Sequence, residues 1–157
     1  MINDLTDIAD AVAAELISPV GTTWSIPFSP VRLNVPRSKR EQMSNLLVTV
    51  VPKSRVRTRF NRQRVAILVE TYIGVEMGLT GDTNAESDPL IALGQQISDY
   101  FAEGRQLASF TATPATCVSN AFGNGIDSPW FSLKMANEAL TYTGIITLGF
   151  QFFRSVP

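Results

Sequence analysis

Two long extended runs folded on a short turn near Asn61, together spanning Leu46 to Val75, constrain this chain more than any other feature. The return run places Val65, Ile67, Val69, Thr71, Ile73 and Val75 at alternate positions, a β-branched series that suits the pleated surface of a strand. On the outgoing run, one parity reads Leu46, Val48, Val50, Val56, Thr58 and Phe60. The other begins with Leu47 and Val51 and then becomes Lys53, Arg55, Arg57 and Arg59. Successive strand side chains point to opposite faces. An uninterrupted strand would therefore carry the lysine and the three arginines on one face. The expected object is a hairpin with an apolar base and a basic outer end.

That basic end dominates an uneven charge distribution. Arg32 to Arg64 holds ten basic residues and one acid, Glu41, whereas the rest of the 157 residues holds three basic and thirteen acidic ones. The net charge of -1 conceals this split. Segregation of this kind suits nucleic acid or an acidic protein surface as partner, and the acidic remainder makes another copy of the chain an equal candidate.

At 157 residues the chain is one domain by size, read here as a single unit over 1–157. Asn3 to Ile17 spaces Leu5, Ile8, Ala9, Val12, Ala13, Leu16 and Ile17 as the apolar stripe of a helix, with Asn3 as N-cap and Pro19 and Gly21 after its end. Trp24 to Val35 reads as an irregular strand, which Pro27 and Pro30 confine to an edge. Pro36 to Asn45 reads as a polar loop.

After the hairpin, Gly78 to Ser87 is a surface connection. Asp88-Pro89 then opens a helix as N-cap and N1, with Leu90, Leu93, Ile97, Tyr100 and Phe101 buried and Gly104 at C′. Gly94 lies on or near that stripe and predicts close packing on the sheet, because mid-helix glycine costs roughly 1 kcal/mol of propensity. Thr111 to Gly125 predicts a weak strand with Ala115, Cys117 and Phe122 inward, turning at Gly123-Asn124-Gly125. Pro129 to Met135 predicts a short strand, and Ala139 to Phe153 the clearest one, with Leu140, Tyr142, Gly144, Ile146, Leu148, Phe150 and Phe152 on one face. The order predicts an α+β domain: a mostly antiparallel sheet, an N-terminal and a central helix packed on it, and a long protruding hairpin.

Much chemistry is excluded by residue type. The chain has no histidine, which removes the usual general base and every Ser-His or Cys-His nucleophile system. One cysteine, Cys117, supplies neither a disulfide nor a zinc site of ordinary spacing. Asp82, Glu86 and Asp88 lack calcium-loop spacing, and Asp88 is better explained as a cap and Asp82 as a turn residue. Glu70 and Glu76 share a strand parity, but ion pairing to a neighbouring arginine outranks acid-base work. The glycines form no phosphate loop. No catalytic residue, metal or cofactor is expected, and the chain reads as a non-enzyme. No apolar run reaches about 18 residues, and Asp4, Asp7 and Asp10 near the start do not fit a secretory signal.

The layout of N-terminal helix, irregular strand, polar loop, the run Leu47-Val48-Thr49-Val50-Val51-Pro52-Lys53, an arginine-bearing hairpin, and then a second helix and closing strands resembles the tail-terminator or tail-completion proteins of tailed bacteriophages. The likeness covers about the first 105 residues. It implies a virion protein of the neck, present in host cytoplasm during assembly. Such a protein forms a hexameric ring that caps the tail tube and joins it to the head-completion or connector protein. Lys53, Arg55, Arg57, Arg59, Arg62 and Arg64 would then touch a neighbouring subunit, the adjacent ring or DNA in the lumen. Another head-tail joining protein, a tail-tube subunit and a free DNA-binding module are the alternatives.

Overall fold

The computed structural model describes residues 3–36, 45–80, 84–108, 110, 113–124 and 141–156. Its elements are α1 (Asp4–Ile17), β1 (Pro30–Arg32), β2 (Leu47–Arg59), β3 (Arg64–Gly78), α2 (Asn84–Tyr100), β4 (Thr116–Asn124) and β5 (Thr141–Ser155). The five strands form one sheet in the order β1-β2-β3-β5-β4. Only the β1–β2 contact is parallel. The fold is α+β, with the N-terminal and central helices on a mostly antiparallel sheet.

Both helices lie on one face of that sheet. Ile8, Val12 and Leu16 of α1 and Leu90, Leu93 and Ile97 of α2 join Val48, Val50, Ile73, Ile146, Phe150 and Phe152 in a single buried cluster. Each such side chain stabilises the fold by about 1.5–3 kcal/mol relative to leaving it in water. The Asn3 side chain caps α1 by accepting from the Thr6 N–H, and the Trp24 indole donates to the Leu16 carbonyl at the other end. Ile17, expected on the buried stripe, is 67% exposed, because the helix ends there and the chain leaves the sheet.

The second helix begins at Asn84, so Asp88 is not its N-cap and Pro89 lies inside it. Pro89 is the sixth residue of α2, past the four whose N–H groups lack a helical partner, so it withholds one bond that the Ala85 carbonyl would accept. Gly94 meets the expectation of close packing: a Cβ built there would sit 2.5 Å from the Phe122 ring. Gly104 follows the helix end by several residues and takes φ +89, and its N–H bonds the Cys117 carbonyl to turn the chain toward β4. Ala115 and Cys117 are buried as expected, while β4 continues straight through Gly123 and Asn124, where a turn was expected. The strand expected at Pro129 to Met135 and most of the polar loop after Pro36 lie outside the described residues.

The hairpin is long, and its outer end is three-stranded. The fifth strand accompanies β3 over its whole length, from Gly78↔Thr141 to Arg64↔Ser155. The Val156 N–H bonds the Gln63 carbonyl, which ties the turn to the end of β5.

Candidate functional site: the basic end of the hairpin

A β-bulge decides where the basic side chains point. Pro52 pairs with Thr71 and Ser54 with Glu70, which leaves Lys53 as the extra residue. An extra residue in one strand switches its parity relative to its partner. Before the bulge, Val48 and Val50 face the helices opposite Val75 and Ile73. Beyond it, Arg55, Arg57 and Arg59 take that face, opposite Val69, Ile67 and Val65. Val56, Thr58 and Phe60 turn to the other face. The expectation that Lys53 and the three arginines share a face is therefore corrected. The lysine lies on the helix-free side, where Nζ bonds Glu70 Oε2 at 2.8 Å and sits 5.1 Å from the centre of the Tyr72 ring.

The six candidate cations separate into two groups. Lys53 and Arg55 are held within the chain. The bond to Glu70 pushes the Lys53 ammonium above its ordinary pKa, outweighing the opposite effect of its slight burial. Arg55 Nε donates to Asp4 Oδ2 at 2.8 Å, and Arg154 grips both oxygens of the same carboxylate. The buried Asp4 thus joins the first residue of α1 to β2 and β5. Nothing in the spacing of the sequence announces that junction.

Arg57, Arg59, Arg62 and Arg64 have no carboxylate partner among the described residues. Arg57 and Arg59 stand on the helix side beyond the start of α1. Arg62 lies in the turn, and Arg64 points to the opposite face beside Ser155. The turn that carries them is locked by Asn61, whose Oδ1 accepts from the N–H groups of Gln63 and Arg64, each at 2.8 Å. The basic end is therefore a cap of charge around a rigid tip, not one flat patch.

An apolar surface that sequence reading missed lies behind this cap. Phe60 and Val56 are 61% and 51% exposed on the helix-free face, and Phe60 packs edge-on to Phe153 with ring centres 5.0 Å apart. Nearby, a hollow of about 600 Å³ is lined by Arg64, Thr116, Val118, Gln151, Phe153 and Arg154. The signal for all of this was Pro52. Proline inside a sheet is confined to edges and bulges, and a bulge there exchanges the two faces.

Glu86 and Glu15 are engaged in holding the fold. Glu86 accepts from the Thr80 N–H and hydroxyl, which fixes the connection before α2. Glu15 is buried and accepts from the Tyr100 hydroxyl at 2.6 Å and the Ala108 N–H at 2.8 Å. Burial, reinforced by the bond to Glu15, raises the Tyr100 pKa. Glu70 is paired to a lysine where an arginine was the expected neighbour, and Glu76 lies six residues along the strand from it. Among the described residues, no three acidic or cysteine side chains converge as a metal site, and no helix is long and apolar enough to cross a membrane.

No protein-family model matches this chain, and no curated protein matches it.

Proposed function

We propose that this chain is a structural subunit of a phage neck, a tail-terminator or tail-completion protein that assembles into a ring on the end of the tail tube and meets the head connector. The observation that carries this reading is the division of the basic side chains. Those beside the body are neutralised within the chain, and the four at the rigid tip are left without an acid among the described residues. A ring of identical subunits requires two different complementary surfaces on each copy. The arginine tip supplies one, and the acidic remainder of the chain supplies the other. Arginine is well suited to such contacts because its planar fork binds carboxylates in pairs and is weakly hydrated.

Light scattering on the purified chain, followed by a map of assembled particles, tests the proposal. A defined ring located between tail tube and head is the expected result. A chain that stays monomeric at all concentrations and never enters particles would end it. The related roles of head-completion protein and tail-tube subunit are separated by position in the same map.

A second reading, a nucleic-acid-binding module, gains support from the exposed Phe60 beside Arg59 and Arg62, since bases stack on aromatic rings within basic grooves. Filter binding to DNA at low and moderate salt distinguishes the two. Tight binding by the isolated chain that falls steeply with salt would favour the module.

A further inference from the structure

The sheet has two edges open over matching lengths. On β2, the first strand pairs only with Val48–Val50, and Leu33 adds one bond to the Val50 carbonyl, so Ser54–Arg59 has no strand on its outer side among the described residues. On β4, Ser119–Asn124 has none on the side away from β5 among the described residues. Each open stretch is six residues long and begins just after a bulge. Such edges are templates for another strand unless something blocks them.

Charge decides which strand each edge can accept. Two β2 edges brought together would set Arg55, Arg57 and Arg59 against the same residues of the other copy, and like charges directly opposite are destabilising. The β4 edge carries no charge at all over Ser119–Asn124. Directly behind it runs α2, whose Gly94 packs on Phe122 and whose Ser98 hydroxyl donates to Asn120. That helix contains Glu86, Asp88 and Asp99 and no lysine or arginine. A strand added to β4 with its arginines on the helix side would lay them beside a helix of net negative charge.

We propose that Ser54–Arg59 of one copy adds antiparallel to Ser119–Asn124 of a second copy, so that the sheet runs on from subunit to subunit. This rests on the ring reading above and specifies its contact. Strand directions support it, because β2, β3, β5 and β4 alternate and an antiparallel addition continues the alternation. Keeping the helices of both copies on one side allows two registers, with Arg57 opposite either Asn120 or Phe122. Following the pairing across the sheet, these differ from the level of Arg57 by four or six residues. Over four strands spaced about 4.8 Å apart, with a rise of about 3.3 Å per residue, that stagger tilts the strands by about 35° or about 46°. Closed sheets adopt tilts of roughly 35–45°, so a stagger of this size suits a sheet that closes into a ring.

Cysteine pairs across this junction test it. Thr58→Cys is combined with Ser119→Cys for the first register and, separately, with Ala121→Cys for the second. Under mild oxidation one pair should give a ladder of covalent oligomers ending at the ring size measured for the native chain. None of the three single variants should link. If the native chain forms its ring and neither pair links, or if Thr58→Cys links alone, edge pairing is overturned and the ring reading survives. If the native chain is monomeric throughout, both fall together. Hydrogen exchange on the unaltered chain reads the same contact without mutation. The outward amides of both six-residue stretches should be slow in the ring and fast in dilute monomer, and equal exchange in the two states would overturn the contact.

Discussion

Replacing Asp4 by asparagine tests the junction on which the basic end is mounted. The carboxylate side chain is 3% exposed and is shared by two arginines that are 36% and 27% exposed. Breaking a fully buried ion pair from one side costs about 3–5 kcal/mol, because the orphaned charge stays dry. Here the two guanidinium groups each keep about a third of their surface in water, which recovers part of that cost. Losing two charge-assisted contacts of roughly 1.5–3 kcal/mol each, partly compensated in this way, leaves an expected loss of about 3 kcal/mol. With a urea dependence of about 2 kcal/mol per molar for a chain of this size, the unfolding midpoint should fall by about 1.5 M. Asp99→Asn, on the exposed side of α2, serves as the charge-matched control and should move stability by less than about 0.5 kcal/mol. A double-mutant cycle of Asp4→Asn with Arg154→Met should show coupling of about 1–3 kcal/mol. An Asp4→Asn variant within 0.5 kcal/mol of the parent would refute the junction and, with it, the rigid mounting of the tip.

Gly94→Ala should destabilise by about 1 kcal/mol in thermal or urea unfolding, since overpacking against the Phe122 ring at 2.5 Å exceeds the gain in helix propensity; in a Phe122→Leu background the same change should become neutral or stabilising. The Tyr142 hydroxyl is buried without a partner among the described residues, and burial pushes its pKa from 10.0 up to about 12. The stability this group contributes is whole below pH 10 and is lost as pH rises through about 12, amounting to about 2–3 kcal/mol; Tyr142→Phe should be close to neutral at pH 7 and flatten that loss in pH-dependent urea titrations. Deleting Lys53 removes the bulge yet leaves Arg55 opposite Val69, so it should cost only about 1 kcal/mol and preserve the Asp4 coupling. Arg57→Glu with Arg59→Glu should leave the unfolding midpoint nearly unchanged and abolish the higher-mass species in light scattering; Arg55→Glu is unsuitable for that purpose because it also breaks the Asp4 junction.

Elements whose partners are near in sequence, or whose pattern is long, were legible before any coordinates. The helix of Asp4–Ile17 follows from its apolar spacing and the Asn3 cap, and the strand of Thr141–Ser155 from its alternation. Gly94 announced its tight contact because a helix rarely keeps a mid-length glycine without packing reason. What failed depends on a single residue or on distant neighbours. One inserted residue at Lys53 reversed the faces of the arginines, and alternation carries no record of an insertion unless Pro52 is read as one. The helix start at Asn84 escaped because Asp88-Pro89 is the stronger local signal, whereas the first turn is held by Glu86 accepting from the Thr80 N–H and hydroxyl. The Asp4 junction joins residues 51 and 150 positions apart, which no single-sequence pattern connects.

The internal pairing pattern supports the proposal that the tip is a contact surface and not a solubility device. Solubility is served by mixing charges of both signs over a surface, and this chain does so along its body, where Arg32 meets Asp10 and Lys53 meets Glu70. At the tip it does the opposite, placing four arginines within eight residues and no acid among them. Such crowding costs self-repulsion in the free chain, and the cost is recovered only when negative surface arrives. The tip is also held stiff, by the Asn61 side chain across the turn and by the Val156 N–H on Gln63. Charges presented on a rigid support lose little conformational freedom on binding, so more of their attraction reaches the complex. Stiffness confers no benefit on a charge meant only for water; it benefits a charge that must meet a partner in one geometry.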